Sequence, residues 1–226
     1  MYVHRIEFSP SDDQLPEKTL DLADGFLAAL RMNGQICGAE WPIYLHEGRY
    51  AALVLAPEQE SLEPRFHGKY VKKRAHEGEA LGISITSVAV AEDCNSAEPC
   101  SCRDPSGCVL FTTFLSLESP VRCLDCFLPV PLYRLPVTPS EEYYEVICWN
   151  SDYQSCDRLQ MNCTVLERAA TRELSDLRSS LSKAGRDNCS ILARLSGKPF
   201  YYYLYRGHGR SVGAEKKRLC PSCGQP

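Results

Sequence analysis

The sequence lacks the signatures of several protein classes. Residues 1–7 contain no apolar core of a secretory signal, and no apolar run approaches the roughly 20 residues that span a bilayer. There is no phosphate-binding Gly-Lys-Ser/Thr loop, no His-Glu-x-x-His and no deaminase His-x-Glu. These absences predict a cytoplasmic protein without a membrane anchor, and they point away from an enzyme.

Cysteine, by contrast, is abundant. The 226 residues include 13 cysteines, and thiols in a reducing cytoplasm serve metal binding or packing more than disulfides. Cys123 with Cys126, and Cys220 with Cys223, form two Cys-x-x-Cys pairs. Such a turn aims both sulfurs at one point, and zinc takes four ligands in a tetrahedron. The sequence therefore predicts one structural zinc site (Zn²⁺) on these four residues.

The position of the second pair leaves an alternative open. Either Cys123 and Cys126 complete the site with Cys220 and Cys223 across the intervening sequence, or the chain is a truncated product that carries half a zinc ribbon. In the second case the terminal thiols would lack their other two ligands.

The remaining cysteines fall into two groups. Four of them lie in one polar loop, and they either form a metal site of their own or have no function. Their spacing lacks a Cys-x-x-Cys turn, which favours the second alternative. They are Cys94, Cys100, Cys102 and Cys108. The other five are predicted to pack in the core as small apolar residues; they are Cys37, Cys148, Cys156, Cys163 and Cys189.

Charge is distributed unevenly along the chain. Residues 194–226 hold seven Lys or Arg against one Glu, a local charge of +6, whereas residues 1–193 hold 18 basic and 28 acidic residues, a local charge of −10. This asymmetry predicts two partner surfaces, or a basic tail that packs on its own acidic body.

Candidate nucleic-acid contacts lie on one face of the helix predicted over 64–81 and in the basic C-terminal end. The charges on the helix face are also those of an ordinary solvent-exposed helix. They are Lys69, Lys72, Lys73, Arg206, Arg210, Lys216, Lys217 and Arg218.

Hydrophobic patterning predicts an α+β fold. Residues 1–91 read as an alternating strand, a helix that begins at Pro16, two strands around a turn at 47–48, a second helix over 64–81 and a strand over 83–90. This β-α-β-β-α-β order is that of a ferredoxin-like sandwich.

Three further segments are predicted. Residues 92–140 comprise the cysteine-rich loop, a strand over 109–117 and the first knuckle. Residues 141–206 comprise a strand over 143–149, two helices and a final strand over 200–205, with a Ser-Asp-Tyr-Gln capping box at 151–154 opening the first helix. Residues 207–226 form a basic tail with the terminal knuckle.

Three strings of residues resemble a known group of proteins. They are Arg122-Cys123-x-x-Cys126-Phe127 with Pro129-Val130-Pro131-Leu132-Tyr133, then Tyr153-Gln154-Ser155-Cys156-Asp157, and Gly197-Lys198-Pro199-x-Tyr201-Tyr202-Tyr203-Leu204-Tyr205. They are similar to an uncharacterised bacterial family described as zinc-ribbon-containing proteins with a suggested nucleic-acid-binding role. Members encoded beside Rhs-type toxins imply an immunity role.

Taken together, these features predict a non-catalytic zinc protein that binds a macromolecular partner. The first interpretation is an immunity-type protein whose acidic body neutralises a basic cognate toxin, because complementary charge steers such complexes. The alternative is nucleic-acid binding by the basic C-terminal end. A thiol-dependent enzyme ranks third.

Overall fold

A computed structural model describes residues 1–11, 16–207, 209 and 211–225 of the chain. It confirms the α+β class, with two sheets and helices packed on them. The first 92 residues contain β1 (Tyr2–Pro10), α1 (Pro16–Met32), β2 (Ile43–His46), β3 (Arg49–Ala56), a 3-10 turn (Pro64–Phe66), α2 (Lys69–Ala80) and β4 (Ile83–Glu92).

The first sheet is antiparallel, in the order β2-β3-β1-β4. Alternate residues of β1, namely His4, Ile6 and Phe8, are buried, and Ile6 and Phe8 join the core beneath α1 and α2. The turn between β2 and β3 has positive φ at both Glu47 and Gly48, 49° and 77°, the backbone that matches the twist of a tight hairpin. This half therefore has its own apolar core.

The second half carries a smaller sheet and most of the helices. Its elements are β5 (Cys108–Leu110), β6 (Val121–Cys123), a 3-10 turn (Leu132–Arg134), α3 (Tyr144–Asn162), α4 (Glu167–Ser175), α5 (Ser180–Ser196), β7 (Phe200–Tyr202) and α6 (Val212–Lys216). Strand β5 lies between its partners, antiparallel to β6 and parallel to β7. A second core packs this sheet against α3, α4 and α5.

The strand predicted over 143–149 is wrong, because these residues begin α3. Val146, Trp149, Tyr153 and Asp157 are buried along it, at the three- and four-residue spacing of one helix face. Ser151, predicted to cap the helix, lies inside it and accepts a bond from the Ser155 hydroxyl at 2.8 Å. The aromatic and β-branched residues of 143–149 favoured a strand locally, but their burial in the second core decides for a helix.

Four further predicted elements differ in extent. The helix predicted over 64–81 begins only at Lys69, after the separate 3-10 turn at Pro64–Phe66, and the strand predicted over 200–205 ends at Tyr202. The strand expected over 109–117 ends at Leu110, because the Gln154 side-chain amide binds the carbonyls of Thr113 and Ser116, at 3.1 and 2.6 Å, in place of a strand partner. The last predicted helix, which runs through Leu174 to Leu195, is divided between α4 and α5, since the Ser179 hydroxyl caps α5 by accepting a bond from Ser182 N.

The two halves meet along a shared surface. Leu132 packs against Gly34, and Tyr143 N donates to Met32 O at 2.8 Å. Glu58, just after β3, accepts hydrogen bonds from Tyr133 and Arg134 of the second half. The contact is thus mixed, apolar at Leu132 and ionic at Glu58.

None of the helices in the described residues has the length and apolar character needed to cross a lipid bilayer.

Candidate metal centre

Four thiols meet at one point of the second half. The sulfurs of Cys100, Cys102, Cys123 and Cys126 all lie within 4.8 Å of one another. Cys100 and Cys123 are buried, Cys102 and Cys126 are exposed, so the group lies at the surface with its inner side covered. It is the only group of at least three His, Cys, Asp or Glu with metal-binding spacing in the part of the chain that the structure describes.

A tight turn after β6 positions Cys123 and Cys126. Phe127 N donates to Cys123 O at 2.9 Å, and Cys123 N donates to Leu128 O at 3.0 Å. Asp125 N points at Cys123 Sγ, 3.4 Å away. Phe127 has φ of 59°, a backbone that usually favours glycine, and its ring packs against Phe111 with centroids 5.3 Å apart. These bonds define a Cys-x-x-Cys knuckle that directs both sulfurs the same way.

The other two sulfurs come from the loop between β4 and β5. Cys100 N donates to Pro129 O at 2.8 Å, which holds the loop against the segment that follows the knuckle. Cys102 N approaches Cys100 Sγ at 3.4 Å, and the Cys126 thiol approaches the same sulfur at 3.5 Å. The Arg134 guanidinium donates to Cys100 O at 3.0 Å, so the loop is fixed from two sides.

The base of the knuckle packs on the beginning of β5. Leu124 N donates to Gly107 O at 3.0 Å. A side chain at Gly107 would place Cβ 2.6 Å from Pro199 O and 2.9 Å from Leu124 Cδ1, so this close approach requires glycine. Ser106 donates its N–H and its hydroxyl to the Asp125 carboxylate. The turn therefore has little freedom to reorient its sulfurs.

The four thiols influence one another's ionisation. Burial, followed by bonds to the neighbouring thiols, raises the pKa of Cys100. Burial also acts to raise the pKa of Cys123, but N–H groups of Cys126 and Asp125 and the thiols of Cys100 and Cys126 lower it on balance. Crowded thiols cannot all ionise unless a cation neutralises them, and a divalent metal supplies that charge.

The donor set fits a zinc ion. Zn–S bonds of about 2.3 Å in a tetrahedron place sulfurs about 3.8 Å apart. The sulfurs here lie within 4.8 Å, with one pair at 3.5 Å, so small side-chain adjustments suffice. Four thiolates are also the soft ligands that zinc favours over magnesium or calcium.

The structure divides the four ligands predicted from sequence. It places Cys123 and Cys126 in the cluster, but their companions there are Cys100 and Cys102 instead of Cys220 and Cys223. The terminal pair forms its own turn, in which Gly224 N donates to Cys220 O at 2.8 Å. In this turn the N–H groups of Cys223 and Ser222 lower the pKa of Cys220.

The other cysteines lie outside the cluster. Cys108 is buried in β5 opposite Cys123, and burial raises its pKa to about 11. Cys94 and Cys163 are exposed, so the core position predicted for Cys163 is wrong: α3 ends there with a left-handed φ of 52°. Cys189 is buried in the second core, with its pKa raised to about 12 by burial.

Several of the predicted basic contacts are engaged within the chain. Lys69 pairs with Glu141 at 2.6 Å and Lys73 with Glu77 at 3.9 Å. Glu215 pairs with Arg206 at 2.9 Å and lies 4.0 Å from Arg218. Lys72 is exposed on α2, and Lys216 and Lys217 are exposed at the end of α6. Arg210 lies outside the described residues.

Residues 209–213 read Gly-Arg-Ser-Val-Gly, a Gly-x-Ser-x-Gly string that the sequence analysis missed. In hydrolases this string places a nucleophilic serine between a strand and a helix. Here Ser211 caps the five-residue helix α6 by accepting a bond from Ala214 N at 3.2 Å. The residues before it, 203–207, are irregular, so the strand that a nucleophile elbow requires does not precede Ser211.

Comparison with known proteins relates both halves to families. Residues 102–205 match the family described as Domain of unknown function (DUF2310), and residues 1–92 match the one described as Domain of unknown function (DUF8589). The first match includes three cluster cysteines and ends before the terminal knuckle.

Two relatives come from Haemophilus influenzae, and each is described as an uncharacterized protein. One is 40% identical over 199 residues, 86% of this chain and 76% of that protein. The other is 42% identical over 135 residues, 60% of this chain and 66% of that protein. No solved structure matches the chain.

Proposed function

For this chain, which belongs to the family of its Haemophilus influenzae relative, we propose a structural zinc centre formed by Cys100, Cys102, Cys123 and Cys126. The convergence of four sulfurs within 4.8 Å supports this proposal. The backbone N–H groups directed at Cys100 and Cys123 support it further, because they favour the thiolate form that binds metal.

We propose that the centre is not catalytic. Catalytic zinc sites keep one position open for water or substrate, whereas structural sites fill all four with protein ligands. Four cysteines fill the tetrahedron here. The half-covered position of the cluster and its rigid knuckle also suit a constraint on the fold more than an exchange of ligands.

The metal would join segments that are distant in sequence. It would connect the loop after β4 to the knuckle after β6, and Arg134 extends this connection by binding both Cys100 O and Glu58 of the first half.

The antiparallel β2-β3-β1-β4 order supports our assignment of the first half as ferredoxin-like. The free state of all thirteen thiols fits the reducing cytoplasm that we propose as its location.

The purified protein is expected to carry zinc on this cluster. In a Cys220→Ser/Cys223→Ser variant, which removes the terminal pair, metal analysis should still find about one zinc per chain. Cobalt substitution should give the intense visible absorption of tetrahedral thiolate coordination. If this double variant is purified without metal and then takes up neither zinc nor cobalt under reducing conditions, the cluster is not a metal site.

For the partner we propose a basic macromolecule that binds the acidic body, as an immunity-type protein binds its toxin. The local charge of −10 over residues 1–193 supports this choice. The nucleic-acid alternative has less support, because Lys69, Lys73 and Arg206 are engaged with carboxylates of the same chain. Those contacts would have to break before the cations met phosphates.

Affinity chromatography separates the two partner classes. If the acidic body is the binding surface, the chain should pass through heparin at low salt and co-purify with a basic protein encoded nearby, with an affinity that falls as salt rises. Retention on heparin or DNA that weakens steeply with salt is the result that would favour the nucleic-acid alternative instead.

A further inference from the structure

A cavity of about 250 Å³ lies between the two halves of the chain. The first half contributes the end of α1 and the segment after it, and the second contributes the loop between β5 and β6 and one face of α3. None of the four cluster cysteines lines it. Proteins commonly bind small molecules where two folded units meet, and this volume is slightly below the roughly 300–1,000 Å³ of such sites, which suits a small ligand.

Much of the lining of this cavity is apolar. Ile36 and Leu132, which are 3% and 5% exposed, are joined there by Ile147 and Phe114. The loop that carries Phe114 is held against α3, because Phe114 N donates to the Asp157 carboxylate at 2.7 Å. A ligand therefore meets a largely pre-formed wall, and an apolar body would fill it.

The polar part of the lining offers hydrogen-bond donors. Arg31 uses Nε to bind Gly38 O at 2.9 Å, and Arg158 is exposed on α3; neither forms an ion pair with a carboxylate in the described part of the chain. The Asn150 amide oxygen is buried, and the amide nitrogen has no hydrogen bond to any described residue. Guanidinium and amide N–H groups in one cavity favour an anion, and arginine binds a carboxylate with two parallel bonds.

The charges of the lining favour an anion of single charge. The charged residues among the lining ones are Arg31, Arg158 and Glu118, which together carry +1. Glu118 already accepts a bond from Arg122 Nη2 at 3.4 Å. Cys37 also lines the cavity, but burial raises its pKa to about 12, so its thiol stays neutral. An ionised carboxylate supplies one negative charge, whereas a phosphate monoester supplies nearly two.

We propose that this cavity binds a small monocarboxylate with an apolar body. Arg31 and Arg158 bind the carboxylate, and the body packs against Ile36, Leu132 and Ile147. The ligand contacts both halves, which match different families, so its binding also stabilises the folded chain against unfolding.

Phenylacetate is the probe that tests this site. Calorimetry should show it binding to the wild-type chain at millimolar or lower concentration, and it should raise the unfolding temperature. The neutral analogue 2-phenylethanol should bind at least about tenfold more weakly, because it lacks the charge that the arginines recognise. In a sample with labelled methyl groups, phenylacetate should shift the NMR signals of Ile36, Leu132 and Ile147.

Arg158→Gln changes an exposed side chain, so the fold should survive, and phenylacetate should bind at least about tenfold more weakly while 2-phenylethanol is little affected. Arg31→Gln should have the same effect. Arg168→Gln is the matched control, since Arg168 is exposed on α4 and outside the cavity, and this variant should bind phenylacetate as the wild type does.

Three results would overturn the proposal: no binding of phenylacetate at millimolar concentration, equal binding of 2-phenylethanol, or unchanged binding to Arg158→Gln. Methyl shifts confined to other parts of the chain would also reject the cavity, because the probe would then bind elsewhere. Tighter binding of phenyl phosphate than of phenylacetate would overturn the assignment to a monocarboxylate.

Discussion

Cys100→Ser is expected to lose the cluster metal and to lower the free energy of unfolding by about 4 kcal/mol or more, the range typical of losing a metal. Cys100 is only 5% exposed, and its sulfur meets both Cys102 N and the Cys126 thiol. Serine offers a harder, protonated oxygen, and three remaining cysteines hold zinc poorly. Metal analysis and urea unfolding of the variant measure the two effects.

Cys94→Ser provides the control for this substitution. Cys94 lies in the same loop but is exposed and outside the cluster. It should retain the full metal content and the wild-type unfolding midpoint. Equal metal content and equal stability in the Cys100 and Cys94 variants would contradict a metal role for the cluster.

Gly34→Ala is expected to destabilise the contact between the two halves by about 3 kcal/mol. Gly34 has φ of +72°, where an L-residue costs about 1–2 kcal/mol. Its new Cβ would lie 2.4 Å from Leu132 Cβ and 3.3 Å from Leu132 Cα, and overpacking of this kind costs about 1–3 kcal/mol. Since Leu132 is only 5% exposed, it has little room to move aside.

Gly38→Ala separates the two causes. Gly38 has φ of +88°, but a Cβ there would meet nothing within 4 Å. This variant should therefore show the backbone strain alone, about 1–2 kcal/mol. Denaturant unfolding of both variants gives the difference, which is the cost of the collision with Leu132. If the two losses of stability are equal, the halves do not pack tightly at Gly34.

The sequence could reveal one half of the metal cluster but not the other. Cys123 and Cys126 can be recognised from the sequence because two intervening residues make a local turn. Cys100 and Cys102 have no such signal, and their position depends on the bond from Cys100 N to Pro129 O, which joins residues far apart in the chain. The terminal pair shows the converse: its spacing predicted a knuckle, but spacing cannot tell which other sulfurs, if any, lie beside it.

Secondary structure was predictable where one period dominated. In β1 the alternation of His4, Ile6 and Phe8 matched one buried face, and Pro16 marked the start of α1. At 143–149 the residue types favoured a strand, while the spacing of Val146, Trp149 and Tyr153 favoured a helix. Packing of these three residues against the second sheet decided between them, and that packing is absent from a local window of sequence.

The parallel pairing of β5 with β7 has a consequence for synthesis of the protein. The first sheet is complete once residue 92 has left the ribosome, so this half can fold while the remainder is still being translated. Cys108 pairs with Phe200 and Leu110 with Tyr202. One edge of β5 therefore has no strand partner until α3, α4, α5 and then β7 have been translated. An exposed edge is prone to aggregate during this interval. All four cluster cysteines emerge before β7, so a metal bound on the nascent chain would fix the knuckle beside that edge.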